Sequence, residues 1–382
     1  MIYLDYSATT PLDSRVADLM DTVGRDSFGN PSSIHQLGQS ARARIETARR
    51  QVAATIGARP SEIIFTSSGS ESNNIVLWDV IQREGKHIII SELEHPSVYT
   101  TAKVLRKFGV EITEVGVDNH GRVVPADIAK SIKPETALVT VMTANNETGT
   151  IQPIREIAEL CEEKNIRFHT DAVQALGKIP IDIGNFAPHT ASFSAHKLYG
   201  PKGVGALYVA RRIKLHPLLH GGGQEQRLRA GTENVAGIAG FGLACELAAK
   251  DILPESQKLA SFRDQTIGHI LHQFPNAVIH GDSEHFLPGV ISIGCSGIDA
   301  QSLLMKLDLD GFAVSTGAAC SSGVAKPSRS LIAMGLNDDE CKSTLRISFG
   351  RFTQQTEMDA FLESFIKHAK LMTKGKKAEA PS

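Results

Sequence analysis

The chain has 382 residues, of which 41% are hydrophobic and 21% are charged, and its formal net charge is -2. This composition predicts a globular protein and excludes both a disordered chain and a protein that binds nucleic acid through a basic field. No apolar run reaches the roughly 18 residues of a membrane helix, and the first residues lack the pattern of a signal peptide. We therefore expect a cytoplasmic protein without membrane or direct nucleic-acid contacts.

Strands and helices alternate along the first half of the chain. A short strand is predicted over residues 2–8, and a helix with apolar residues at helical spacing follows the turn-forming residues 28–33. The next predicted elements are strand 62–66, a helix from Glu71, strand 87–91, a helix from Pro96, strands 110–115 and 137–142, helix 154–164, and strands 166–169, 192–194 and 205–210. Strands rich in Ile, Val and Phe that alternate with helices predict an α/β fold with a mostly parallel sheet covered on both faces.

A smaller α/β unit is predicted in the second half. A helix runs from Glu233 toward Lys250, and Pro254 is interpreted as a domain boundary. The elements beyond it are helix 257–274, strands 277–280 and 289–293, helix 299–307, strand 344–349 and helix 356–372. We predict a large domain over 16–254, a small domain from 1–15 and 255–373, and a disordered, charged tail over 374–382.

Polar residues follow five of the predicted strands. They are 67–70, 92–95, 145–147, Asp171 with Gln174, and His196 with Lys197. Ligands of parallel sheets bind in the crevice beyond the carboxyl ends of the strands, so we expect these side chains to share one crevice. Each group alone is also typical of an ordinary turn.

Lys197 follows a strand, which is where a Schiff-base lysine would be positioned and partly desolvated. Such a lysine indicates pyridoxal phosphate, which needs an anion site, an acidic partner for its ring nitrogen and a group on the ring face. Gly69 and Ser70 open a helix that can bind the phosphate, Asp171 can pair with the nitrogen, and His95 can stack on the ring. The alternatives are a helix-capping role for Ser70 and a metal site among the histidines, but no metal-ligand spacing supports a metal.

The five cysteines form no C-x-x-C pair, so the sequence favours neither a zinc site nor a disulfide framework. Four lie in segments typical of small buried hydrophobic residues, and these are Cys161, Cys245, Cys295 and Cys341. Cys320 lies in a loop of small residues, 315–323, for which we expect mobility and an exposed thiol.

Together these motifs resemble the cysteine desulfurases, which are pyridoxal-phosphate enzymes that convert L-cysteine to L-alanine. The resemblance covers nearly the whole chain and rests on residues 3–11, 65–67, 71–74, 145–147, 171–172, 194–197, 318–320 and 346–351. Residues 69–70 and 315–319 depart slightly from the common family pattern but keep its small side chains. The resemblance implies the fold of the large pyridoxal-phosphate transferases (fold type I) and a homodimer with active sites at the interface.

The resemblance also implies roles for individual residues. Lys197 would hold the cofactor and take the α-proton of the substrate, and Cys320 would attack the substrate sulfur and keep it as a persulfide. The other implied contacts are Asp171 with the ring nitrogen, Gln174 with the phenolic oxygen, His95 with the ring face, Gly69, Ser70, Ser194 and His196 with the phosphate, Thr232 with the phosphate of the neighbouring subunit, and Asn146 and Arg346 with the substrate carboxylate.

Three other functions remain open at this point. A selenocysteine lyase and an aminotransferase share the fold, although an aminotransferase needs no loop thiol. An inactive sulfur-carrier scaffold is the alternative outside the enzymes, and the set of Lys197, Asp171, His95 and Arg346 argues against it. The sequence does not identify the sulfur acceptor, since iron-sulfur assembly, tRNA thiolation and DNA phosphorothioation all draw on such a persulfide.

Overall fold

The structure, a computed structural model, describes residues 1–316 and 327–378, so Cys320 lies outside the described residues. The strands are β1 Ile2–Tyr3, β2 Ile63–Thr66, β3 His87–Ser91, β4 Glu111–Val115, β5 Thr136–Thr140, β6 Arg167–Asp171, β7 Thr190–Ser194, β8 Gly205–Val209, β9 Ala277–His280, β10 Val290–Cys295, β11 Phe312–Ala313 and β12 Thr344–Ser348. The helices are α1 Ser14–Asp26, α2 Gln36–Thr55, α3 Gly69–Asp79, α4 Pro96–Leu105, α5 Pro125–Ser131, α6 Ile154–Glu163, α7 Ile183–Phe186, α8 Val235–Gln273, α9 Ala300–Leu309, α10 Arg329–Ala333, α11 Asp338–Lys342 and α12 Gln355–Ala378.

A seven-stranded sheet in the order β2-β8-β7-β6-β5-β3-β4 organises the larger part of the chain. The five strands from β7 to β4 pair in parallel, whereas β8 is antiparallel to both of its neighbours. The reversal at β8 follows from the short connection after β7, which is too short for the crossover that parallel strands need. The predicted mostly parallel sheet is confirmed.

Helices cover both faces of this sheet, because successive residues of each strand point to opposite sides. In β3, Ile88 and Ile90 pack in a buried cluster with residues of α3 and α4, while Ile89 packs in another with residues of α6. A third cluster joins α1, α2 and the first half of α8 to the strands near β7. The apolar strands therefore form the two-sided core that their Ile-rich and Val-rich sequences predict.

A second hydrophobic core surrounds a three-stranded antiparallel sheet in the order β12-β10-β9. It includes Leu4 from the start of the chain, Leu259 from α8, and Phe361 and Phe365 from α12. The chain start joins this core through β1, which pairs in parallel with β11. The division into a large domain over 16–254 and a small domain from 1–15 and 255–373 stays a prediction.

Pro254 does not end a helix, contrary to the sequence interpretation. The segments predicted as two helices form the single helix α8 of 39 residues, with Pro254 inside it. A proline in a helix interior removes one hydrogen bond and crowds the preceding turn, so the helix must be held by its packing. Residues up to Ala248 pack in the first core and residues from Leu259 pack in the second, which supports the helix on both sides of Pro254.

Other features also differ from the predictions, including the short elements α5, α7, α10 and β11, which were not predicted. Strand β1 ends at Tyr3 rather than at residue 8, because residues 5–10 bind the side chains of the site described below. Helix α1 was not predicted, although Asp13 caps its start and Val16 and Val23 are buried at helical spacing. Helix α12 extends to Ala378, so residues 374–378 of the predicted disordered tail are helical, which is compatible with the high helix propensity of Lys and Ala. In the described part of the chain, no helix is long and apolar enough to cross a membrane.

Replacing Pro254 by Ala is expected to stabilise the protein. Proline costs about 3 kcal/mol relative to alanine in a helix interior, and its stiffening of the unfolded chain offsets up to about 1 kcal/mol of this cost. Urea unfolding should therefore show a gain of about 2 kcal/mol for Pro254→Ala. Pro60→Ala is the control, since Pro60 is the first residue of a short helical turn, where its missing N–H is not needed. A loss of stability in Pro254→Ala would show that packing of the proline ring stabilises the protein by more than the missing hydrogen bond destabilises it.

Candidate active site

A cavity of about 280 Å³ lies at the carboxyl edge of the large sheet. Its lining residues are Ala8, Ser68, Gly69, Ser70, His95, Ser97, Met142, Asn146, Asp171, Val173, Gln174, Ser194, His196 and Lys197. All five polar groups predicted at strand ends contribute to this lining. The cavity volume is near the lower end of the range for small-molecule sites, which is about 300–1,000 Å³.

The Lys197 amine is held by main-chain carbonyl groups rather than by a carboxylate. Lys197 lies on a short helical turn directly after β7, and its Nζ donates to the carbonyl oxygen of Ser7 at 2.6 Å and to that of Ala8 at 2.7 Å. Burial, with a smaller effect from the charge of Arg346, lowers the pKa of Lys197 from 10.5 to about 8. A neutral, nucleophilic amine is therefore accessible near physiological pH.

Asp171 lies at the end of β6 and is almost fully buried. Its Oδ2 accepts a 2.7 Å hydrogen bond from Asn73 Nδ2, and its Oδ1 accepts one of 3.0 Å from the Val173 amide. Asn73 Oδ1 in turn lies 3.0 Å from His169 Nε2, and His169 Nδ1 lies 2.8 Å from Thr190 Oγ1. This chain of hydrogen bonds fixes the carboxylate of Asp171 at the cavity, where it can pair with a protonated ring nitrogen.

Asn73 also connects Asp171 to His95. Asn73 Nδ2 donates to Ser97 Oγ at 2.8 Å, and His95 Nδ1 accepts hydrogen bonds from the Ser97 amide and hydroxyl at 3.2 and 2.8 Å. The imidazole is thereby oriented at the cavity wall, where it is still accessible to solvent. Desolvation by the surrounding protein lowers the pKa of His95, with a smaller opposing effect from Asp171, so the neutral imidazole is favoured.

The start of α3 forms the end of the cavity that suits an anion. Ser68 caps this helix, and the backbone N–H groups of its first turn are free of intrahelical partners. A side chain at Gly69 would not fit, since a Cβ there would lie 2.4 Å from Val173 Cγ2. Gly69 thus lets the helix start approach the cavity closely, and Ser70 and Ser194 add hydroxyl groups to the same lining.

His196 completes this end of the cavity. Its Nδ1 lies 3.1 Å from Thr9 Oγ1, and in the tautomer that accepts from Thr9 its Nε2 carries a hydrogen that can be donated to an anion. Burial, followed by the charges of Lys197 and other lysines, lowers the pKa of His196 to about 4. The imidazole therefore contributes a hydrogen-bond donor without a full positive charge.

Arg346 lies beside the cavity but not in its lining. Its Nη2 pairs with Asp5 Oδ1 at 2.7 Å and its Nη1 donates to the carbonyl oxygen of Asn146 at 3.0 Å. Its buried Nε has no hydrogen-bond partner among the residues that the structure describes. The two outer nitrogens of the guanidinium are thus occupied by Asp5 and Asn146, and a substrate carboxylate would have to replace these contacts.

Thr232 lies outside the cavity of its own chain and is exposed. It follows a turn in which Glu225, Gln226 and Arg227 have left-handed φ angles of 44°, 58° and 65°. The turn is held by Glu225, whose buried carboxylate pairs with Arg49 at 2.7 Å and accepts from the Phe65 amide. The buried contacts of Glu225 therefore hold the exposed loop in place, and Thr232 is accessible to a second molecule.

Asn73 and Ser97 were not predicted as site residues, and His169 was considered only among the histidines of the alternative metal site. Asn73 belongs to a motif on which the family resemblance rests, and its position among buried apolar residues of α3 was the available signal. The described part of the chain contains no group of three or more His, Cys, Asp or Glu side chains arranged to hold a metal ion. His169 instead orients Asn73.

The chain is similar to known proteins over nearly its whole length. Residues 2–361 match the family described as aminotransferase class-V. A protein of Dictyoglomus turgidum named cysteine desulfurase IscS is 44% identical over 95% of this chain and 93% of its own length. A solved structure titled NifS-like protein superposes with a TM-score of 0.91 at 35% identity, covering 97% of this chain and 99% of the other. A structure titled SspA in complex with cysteine has a TM-score of 0.82 at 34% identity, covering 93% of this chain and 100% of the other.

His169 is expected to make stability depend on pH. Burial lowers its pKa to about 3, so between pH 6.5 and 3 the folded protein binds fewer protons than the unfolded chain and stability is lost as the pH falls. His169→Gln should reduce the slope of unfolding free energy against pH by up to about 1.4 kcal/mol per pH unit in this window. Urea unfolding between pH 7.5 and 4 measures this slope.

The control is His272→Gln, which removes an exposed histidine of α8 and should leave the slope unchanged. If His169→Gln leaves the slope of unfolding free energy against pH unchanged, protonation of His169 does not contribute to the loss of stability at low pH.

Proposed function

Because this chain belongs to the aminotransferase class-V family, we propose that it is a cysteine desulfurase, which takes sulfur from L-cysteine and leaves alanine. The observation that carries the proposal is the cavity in which the amine of Lys197, with a pKa of about 8, shares one lining with Asp171 and His95. The name of the relative from Dictyoglomus turgidum and the cysteine bound to SspA support the choice of substrate.

The residues of the cavity fit pyridoxal phosphate. The anion end formed by the α3 start suits a phosphate, Asp171 suits a protonated ring nitrogen, and Gly69 leaves the space that a side chain would fill. In this proposal Lys197 would hold the cofactor, Gln174 Nε2 would donate to its phenolic oxygen, and His95 would contact its ring face. The residues that would bind the phosphate are Gly69, Ser70, Ser194 and His196. When bound, pyridoxal phosphate supplies an electron sink that allows a proton to leave the α-carbon of an amino acid.

The chain's own groups perform the remaining steps of the proposed reaction. Lys197 Nζ, once neutral, accepts the α-proton of the substrate, and the Ser7 and Ala8 carbonyl groups keep the amine near the cavity. Cys320, outside the described residues, supplies a thiolate that forms an S–S bond with the substrate sulfur as the carbon–sulfur bond breaks. The two electrons of the broken bond stay with the carbon fragment, which is protonated to alanine.

Asn146 and Arg346 are proposed to bind the substrate carboxylate. Asn146 lines the cavity and Arg346 contacts its carbonyl oxygen, so both are placed to act together. The substrate carboxylate would take the place of Asp5 Oδ1, the present anionic partner of Arg346. A guanidinium offers two parallel donors to a carboxylate, which gives both affinity and orientation.

We propose that the protein forms a homodimer, in which Thr232 reaches the phosphate of the partner subunit. The exposed position of Thr232 outside its own cavity supports this assignment. The proposed location is the cytoplasm, because the four described cysteines are free thiols, as is usual in a reducing compartment. The product persulfide would pass to a sulfur-acceptor protein, as in iron-sulfur cluster biogenesis or thiolation.

Covalent trapping tests the role of Lys197. Borohydride should fix pyridoxal phosphate irreversibly to the peptide that contains Lys197, because this amine is buried at the cavity and loses its proton readily. Peptide mass spectrometry after proteolysis identifies the labelled lysine. Exposed Lys202, five residues further along the chain, is the internal control, and label there or an absence of label would contradict the assignment.

Replacing Cys320 by Ser separates the two halves of the reaction. The hydroxyl is nearly isosteric but cannot accept sulfur, so Cys320→Ser should bind pyridoxal phosphate normally and change its visible spectrum with cysteine, yet release alanine at less than about a hundredth of the normal rate. Alanine and sulfide assays measure this loss. Cys161→Ala is the matched control, because this buried thiol should affect stability only. Normal alanine release by Cys320→Ser would exclude Cys320 as the nucleophile and would point to another thiol as the sulfur acceptor.

A further inference from the structure

A second lysine is buried beside the cavity, and the proposed reaction does not use it. Lys178 Nζ donates to Gln174 Oε1 at 2.8 Å, and Lys178 forms no ion pair with the carboxylates of residues 1–316 and 327–378. The charge of Glu255 raises the pKa of Lys178, but Glu255 is already paired with Arg351 at 2.7 Å and accepts a hydrogen bond from Tyr199. A buried amine without a carboxylate partner is unfavourable, so its presence requires a compensating role.

The contact with Lys178 determines the orientation of the Gln174 carboxamide. In its ammonium form Lys178 can only donate, so it faces Gln174 Oε1, which leaves Nε2 on the other side. Nε2 donates to the carbonyl oxygen of Ser7 at 2.9 Å. Its second hydrogen has no acceptor among the described residues, and Gln174 lines the cavity.

The turn that carries Lys178 is also fixed against the segment of Lys197. Gly177 has a left-handed φ of 76°, and a Cβ at this position would lie 3.0 Å from Leu198 Cβ. The carbonyl oxygen of Ser7 accepts from both Gln174 Nε2 and Lys197 Nζ, so the two side chains share one acceptor. Lys178 lines a small space behind Lys197 and does not itself line the main cavity.

We propose that Lys178 is a positioning residue that holds the Gln174 carboxamide with its NH₂ group toward the cavity, ready to donate to the phenolic oxygen of the cofactor. The inference rests on the proposed function, because it concerns the pyridoxal phosphate site. Without Lys178 the carboxamide keeps only the hydrogen bond from Nε2 to the Ser7 carbonyl oxygen, and a half-turn that broke this bond would place Oε1 against the phenolic oxygen. Two acceptors would then face each other in place of a donor and an acceptor.

The consequence appears in the pH titration of the bound cofactor. A hydrogen bond donated to an ionised oxygen favours the ionised form, so its loss raises the pH at which the visible spectrum of the bound cofactor changes. Lys178→Met, which keeps the length of the side chain, should raise this midpoint by about one pH unit. The charged groups that act on Lys178 are Lys197 and Arg346, which lower its pKa, and Glu255, which raises it, after the larger effect of burial.

The loss of a positive charge near the cofactor would shift the midpoint in the same direction, so a double-mutant cycle is needed. If Lys178 acts through Gln174, Lys178→Met shifts the midpoint in the wild-type background but not in Gln174→Leu. Lys202→Met, the matched control at an exposed lysine near the site, should leave the midpoint unchanged in both backgrounds. If Lys178→Met does not fold, Lys178→Gln, which retains an N–H donor, is used and should keep the wild-type midpoint.

Equal shifts in the two backgrounds would overturn the inference and leave the proposed function intact. A wild-type protein that takes up no pyridoxal phosphate would overturn both. The readout is the absorption spectrum of the bound cofactor without substrate, so neither result depends on turnover or on Cys320.

Discussion

The site depends on the chain segment 5–10, which lies between the two hydrophobic cores and binds the side chains of both. The carbonyl groups of Ser7 and Ala8 bind Lys197 from the large sheet, while the Asp5 carboxylate and the Ser7 amide bind Arg346 and Ser348 of β12. Carbonyl groups place an amine as well as a carboxylate does, but they supply no full negative charge to retain its proton. Lys197 is therefore well positioned and still easily deprotonated.

The wider electrostatics of the site follow from the same arrangement. Lys178, Lys197 and Arg346 lie close enough for their charges to oppose one another, and burial lowers the pKa of both lysines, to about 7 and about 8. Such a cluster favours the binding of anions, because a phosphate or carboxylate relieves the repulsion between the cations. An attraction for carboxylate and phosphate groups is thus a property of the buried charges as much as of individual contacts.

Local patterns predicted the sheet and most of the cavity, since each strand end is recognisable within a few residues and parallel topology brings the ends together. Contacts between distant residues could not be read in this way. The pairing of Arg346 with Asp5 joins residues 341 positions apart, and the role of Asn73 depends on three side chains from two other elements, α4 and β6. The predicted helix break at Pro254 was wrong for a related reason. Local propensity favours a break there, while packing against both cores maintains α8.

The pairing of the first residues with the last strands also determines the order in which the protein can be assembled during synthesis. Strand β1 emerges first from the ribosome, but its partner β11 begins at Phe312, and the Asp5 contact needs Arg346. The large sheet can begin to form once β8 has been made, whereas Asp5 and the Ser7 amide lack their partners until β12 has been translated. The amine of Lys197 consequently acquires its final surroundings only after β12 has been translated, so a product that stops before β12 can contain a folded sheet without a complete site.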